Sequence, residues 1–125
     1  MKIDFISIGT RSIDSSIRFY EEVLGFTLYN SYSPAPDVKI AFLSDGHGMK
    51  IELIDHVHIE EYQHNNISLG FEVDDIEETK LYLEKAGVKI ISGPTRIPDG
   101  TWILHAKDPN SVNLGFVQLP EKASL

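Results

Sequence analysis

Ser16-Ile17-Arg18-Phe19-Tyr20-Glu21-Glu22-Val23-Leu24-Gly25-Phe26 is the stretch on which the fold turns. With the residues before it, it sets Ile13, Ile17, Tyr20 and Leu24 at the spacing of one helix face, and Gly25 is the residue type that most readily ends a helix. The spacing predicts a helix over 12–24. Upstream, Ile3-Asp4-Phe5-Ile6-Ser7-Ile8-Gly9-Thr10 alternates apolar with small or polar residues, as a half-buried strand does. Downstream, Tyr29 to Tyr32 reads as a strand, Ser33-Pro34-Ala35-Pro36-Asp37 as a loop and Val38 to Leu43 as another strand. Ser44-Asp45-Gly46-His47-Gly48 then turns the chain into a last strand, Lys50 to Ile54.

The same order recurs 63 residues later. Phe5-Ile6-Ser7-Ile8 matches Ser68-Leu69-Gly70-Phe71, Asp45-Gly46 matches Asp108-Pro109, and Ile51-Glu52-Leu53-Ile54 matches Leu114-Gly115-Phe116-Val117. Ile67 to Val73 is a strand. Asp75 caps a helix whose buried stripe is Ile76, Leu83 and Ala86 and whose stop is Gly87. Val88 to Ile91 is a strand, Gly93-Pro94 and Pro98-Asp99-Gly100 are turns, and Trp102 to Ala106 and Val112 to Gln118 are the last two strands. Each half therefore reads βαβββ, the first about 3–54 and the second about 67–118, joined by a polar linker over 55–66 and followed by a loose tail after Pro120. A unit this short needs a partner to bury its apolar face, so the 125 residues are expected to form one α+β domain of two tandem modules.

Composition narrows the function. The net charge of −8 disfavours DNA or RNA, whose phosphates require clustered Lys and Arg. It suits a cationic ligand, a metal or simple solubility. No apolar run is long enough for a membrane helix, and Met1-Lys2-Ile3-Asp4 lacks the order of a signal peptide, so a cytoplasmic protein is expected. Without cysteine there are no disulfides, thiolate nucleophiles or cysteine-based zinc sites. Phosphate-binding glycine loops and a serine nucleophile elbow are also missing.

The opening stretch, the N-terminal Ile3-Asp4-Phe5-Ile6, Phe71-Glu72-Val73-Asp74-Asp75-Ile76 and Asp108-Pro109-Asn110-Ser111 together resemble the vicinal oxygen chelate superfamily, the fold of glyoxalase I, extradiol dioxygenases and bleomycin resistance proteins. The resemblance covers residues 3–118 and implies a curled mixed sheet around a ligand groove, and a homodimer. In metal-dependent members of that superfamily the ligands fall at four places, which here are Phe5, Glu52, Ser68 and Gly115. Glu52 alone offers a carboxylate, whereas a catalytic divalent metal needs about three protein ligands. No metal or other cofactor is expected there.

His56, His58 and His64, with Glu60 and Glu61, form a second candidate set in the linker, read either as an exposed polar segment or as a weak metal site. His105, equivalent to Phe42 by the repeat, points either into the groove, as a general acid or base beside Glu52, or toward the helix. Glu52 either meets ligand or substrate, or is a structural charge partnered by Lys39, Lys50 or Arg96. Phe5, Ser7, Phe42, Glu52, Ser68, Gly70, Trp102, His105, Asn113 and Gly115 make up the expected groove lining, and Glu52 with His105 the candidate catalytic pair. The leading expectation is a metal-independent small-molecule binding protein taking an aromatic or cationic ligand. The alternatives are a glyoxalase-like lyase or isomerase, similar to a lactoylglutathione lyase or an epimerase, and a dimeric interaction module.

Overall fold

The computed structural model describes residues 2–56 and 67–121. The chain divides into two units, Met1–Tyr62 and Gln63–Leu125. In the first, β1 (Ile6–Thr10), α1 (Ile13–Arg18), β2 (Thr27–Ala35), β3 (Val38–Ser44) and β4 (Lys50–His56) build a sheet in the order β1-β4-β3-β2. In the second, β5 (Ser68–Glu72), α2 (Ile76–Lys85), β6 (Ile90–Arg96), β7 (Trp102–Lys107) and β8 (Asn113–Gln118) repeat it as β5-β8-β7-β6. β1 runs parallel to β4 and β5 to β8, while the other pairings are antiparallel. Each unit is thus the α+β module expected from the repeat. No helix among the described residues is long and apolar enough to cross a membrane.

Each helix covers one face of its own sheet. Alternation along the strands sends Ile8, Ala41, Leu43, Ile51 and Leu53 to that face in the first unit, where they are buried with Ile13, Phe19, Tyr20 and Phe26. Leu104, Ala106, Leu114 and Phe116 do the same in the second, with Ile76, Leu83 and Val88. The repeat extends to single hydrogen bonds. Ser12 and Asp75 cap the two helices by accepting from Ser15 N and Glu78 N. A side chain on the last strand also accepts from each helix's first N–H, Asp55 from Ile13 at 3.0 Å and Gln118 from Ile76 at 2.7 Å. In the hairpin turns, Asp45 Oδ1 accepts from His47 N and Met49 N, and Asp108 Oδ1 accepts from Asn110 N and Val112 N.

Several elements differ from the sequence reading. β1 begins at Ile6 rather than Ile3, which is 80% exposed. The single helix expected over 12–24 is α-helical only to Arg18 and continues as a π-helical turn, Phe19–Val23, closed by Leu24 N bonding Phe19 O and Phe26 N bonding Tyr20 O. From cap to terminal glycine this helix is one residue longer than its counterpart (Ser12 to Gly25 against Asp75 to Gly87), and the wider turn absorbs the difference. Its buried stripe includes Ser16, whose hydroxyl lies 2.7 Å from that of Thr10, whereas Ile17 and Leu24 are half-buried. In α2, Ala86 is an exposed C-cap, and Val88 takes the buried place expected for it. β2 runs through Ser33-Pro34-Ala35, so the hairpin loop shrinks to Pro36-Asp37. Gly93-Pro94 is not a turn but an irregularity inside β6, where register shifts between Ser92 and Thr95 and the peptide bond is cis. Residues 122–125 of the tail lie outside the described residues.

The turn at Pro98-Asp99-Gly100 forms as expected. Asp99 accepts from Thr101 N at 2.8 Å, and that bond, then the Thr101 hydroxyl, hold the carboxyl below its usual range against an opposing effect of burial, with Arg96 the smallest contributor. A carboxyl depressed in the folded state stabilises the protein above its unfolded value of about 3.9, and loses that contribution as pH falls through the folded value. Asp99→Asn is therefore expected to lower the melting temperature at pH 7, with the gap to wild type closing as pH falls below the unfolded value. Paired thermal melts across that range check it; a gap independent of pH would refute it.

Candidate functional site

The face of the first sheet turned away from α1 carries the chemistry. Register places Ser7 of β1, Glu52 of β4, Phe42 of β3 and Asn30 of β2 in one row across the four strands. Ser7 Oγ donates to Glu52 Oε1 at 2.6 Å, a short bond to an ionised acceptor. Phe5, two residues before Ser7 and 41% exposed, meets Phe42 edge to face with centroids 5.4 Å apart. Tyr29, 51% exposed, lies tilted against Phe42 with centroids 6.1 Å apart. The result is a surface cluster of three aromatic rings beside one carboxylate. A contiguous apolar patch at the surface beside a placed charge is a candidate ligand-binding face.

The structural reading of Glu52 expected a lysine or arginine partner. Lys50 instead pairs with Asp4 at 3.2 Å, and among the described residues no cationic nitrogen lies within ion-pair distance of Glu52. Among the described residues the group that answers its charge is the Ser7 hydroxyl.

The equivalent row of the second sheet is Gly70, Gly115, His105 and Ser92. His105, left open between two orientations, lies on the face away from α2 and is exposed, because Leu104 and Ala106 occupy the helix side. Ser68 and Asn113 share that face, with Lys107 opposite Asn113. A Cβ at Gly70 would meet nothing within 4 Å, and one at Gly115 only Leu69 O at 4.0 Å. Packing within the unit therefore does not require these glycines, and they leave the middle of the face bare. Trp102, expected beside His105, is corrected to the opposite side: three residues along a strand reverse the face, which sets Trp102 with Leu104. Tyr29 was missed because a register shift between Leu28 and Asn30 hides its side from a two-residue count.

The four metal-ligand positions hold a phenyl ring, a carboxylate, a hydroxyl and a glycine hydrogen, a donor set that does not fit a catalytic divalent metal. Among the described residues no three His, Cys, Asp or Glu side chains gather. β4 does run on to His56, on the face of Glu52, but about 13 Å along the strand from it. His58, His64, Glu60 and Glu61 lie outside the described residues.

Comparison with known proteins places this geometry. The model of the Glyoxalase/Bleomycin resistance protein/Dioxygenase superfamily matches residues 2–116. The uncharacterized protein YwbC of Bacillus subtilis (strain 168) is 32% identical over 122 residues, covering 94% of this chain and 97% of that protein. A lactoylglutathione lyase of Haemophilus influenzae is 30% identical over 128 residues, covering 94% and 93%. Among solved structures, TnmS3, an antibiotic binding protein from Streptomyces sp. CB03234, superposes with a TM-score of 0.75 at 20% identity, over 96% of this chain and 97% of that one.

Proposed function

The chain belongs to the glyoxalase/bleomycin resistance protein/dioxygenase superfamily, and from that premise we propose that it is a small-molecule binding protein that works without a metal. Its ligand is an aromatic cation, taken against the first sheet by Phe5, Phe42 and Tyr29 with Glu52 as the counter-charge. The observation that carries this reading is a carboxylate with no ion-pair partner among the described residues, set beside aromatic rings at the surface, where stacking, cation–π attraction and charge pairing reinforce one another. The acidic chain adds long-range attraction for a cation. A relative by fold that binds an antibiotic is consistent with the class. In this reading the protein acts in the cytoplasm as a homodimer.

Untagged protein is expected to carry well under one equivalent of metal, and its melting temperature to be unmoved by EDTA or by nickel, zinc, manganese or iron. Cationic aromatic compounds are expected to raise the melting temperature, and Glu52→Gln to weaken their binding about tenfold, the order of one charged contact. Near-stoichiometric metal lost in Glu52→Gln would overturn the reading. That result would favour a second one, a glyoxalase-like lyase or isomerase with Glu52 at the reacting centre, for which the likeness to the lactoylglutathione lyase speaks.

A further inference from the structure

The Ser7–Glu52 hydrogen bond restricts which cation the face accepts, an inference that rests on the binding reading above. A guanidinium recognises a carboxylate as a fork, with two parallel N–H groups meeting both oxygens in one plane. Here Oε1 is already engaged at 2.6 Å by a hydroxyl from the neighbouring strand, so a fork would have to share that oxygen with Ser7. The bond is a product of register: Ser7 and Glu52 are direct partners in the parallel β1–β4 pairing, on the same face. An ammonium meets a different set of acceptors. Its N–H groups diverge, so one can point at Oε2 and another at a lone pair of Ser7 Oγ, whose own proton is given to Glu52. A quaternary ammonium has no N–H and keeps only the charge and the ring contacts.

We infer that the first sheet selects a primary or secondary ammonium borne on an aromatic group, over guanidinium and quaternary ammonium, and that Ser7 sets this selectivity. Ser7 is a positioning residue as well as a contact: it orients the carboxylate and presents a second acceptor beside it. The second module supports a local origin for the device, since the equivalent pair there is Gly70 and Gly115, where neither partner exists.

The test uses three probes with one ring: benzylammonium, benzylguanidinium and benzyltrimethylammonium. Affinities are measured by titration calorimetry on the full chain, as wild type, Ser7→Ala, Ser7→Thr and Glu52→Gln. Wild type is expected to bind benzylammonium about tenfold more tightly than the other two. Ser7→Ala is expected to erase most of that preference by weakening benzylammonium while sparing or improving benzylguanidinium, and Ser7→Thr, which keeps the hydroxyl, to restore it. Ser7 is exposed, so its removal leaves the core intact. Binding that depends on Glu52 but shows no preference, or a preference unchanged in Ser7→Ala, overturns the inference and leaves the binding reading standing. Failure of all three probes to bind in a Glu52-dependent way overturns both.

Discussion

Gly93→Ala is expected to lower the melting temperature by about 10 °C or more, corresponding to roughly 3 kcal/mol for a chain of this size. Two independent effects act together. Gly93 sits at φ +92°, a backbone conformation that costs any residue with a Cβ about 1–3 kcal/mol. The added Cβ would also lie 2.5 Å from the backbone oxygen of Ile103 on the neighbouring strand. A backbone oxygen in a sheet ladder cannot swing aside as a side-chain end does, so relief requires β6 to move off β7. Gly70→Ala is the control, since its Cβ meets nothing within 4 Å; it is expected to change stability by less than about 1 kcal/mol. Equal melting temperatures for the two variants would show that the close approach of β6 to β7 is wrong.

Asp108→Ala has the second largest expected effect, about 2–4 kcal/mol of lost stability measured by denaturant unfolding. The carboxylate is only 5% exposed and accepts from Asn110 N at 2.7 Å and Val112 N at 2.8 Å, closing the turn between β7 and β8. Alanine leaves both N–H groups without that acceptor, the Val112 one in a buried setting where water does not readily replace it. The matching change in the first module isolates the role of burial. Asp45 makes the same pair of bonds, but with exposed partners, so Asp45→Ala is expected to cost only about 1 kcal/mol. Similar losses for the two substitutions would refute the argument from burial.

The strands read most closely from the sequence include the four with a neighbour on each side. β3, β4, β7 and β8 lie inside their sheets, with one face on a helix, so their alternation is regular and their positions were readable. β2 and β6 are edge strands and were misjudged. Pro34 and Gly93-Pro94 read as loops, yet an edge strand tolerates a residue with no N–H to give, and both prolines are on edges. Phe5 and Glu52 were singled out by the resemblance to the superfamily, and the structure sets both beside Phe42 on one face of the first sheet. Separating Trp102 from His105 needed only the odd spacing between them. The Ser7–Glu52 bond was out of reach, because it depends on the register of two strands more than 40 residues apart in the chain.

The wide helical turn at Phe19–Val23 bears on how such a molecule diverges. Descent of the two halves from one duplicated ancestor would leave them differing by an insertion, and an insertion in a strand reverses every side chain beyond it. Here the first module holds its surplus residue in the helix and the second holds one between Gly87 and His105, so the addresses 7, 42 and 52 still correspond to 70, 105 and 115. Length variation thereby stays out of the row that carries Ser7, Phe42 and Glu52. Within that row the two copies differ by substitution alone, an acid with its hydroxyl in one and two glycines in the other.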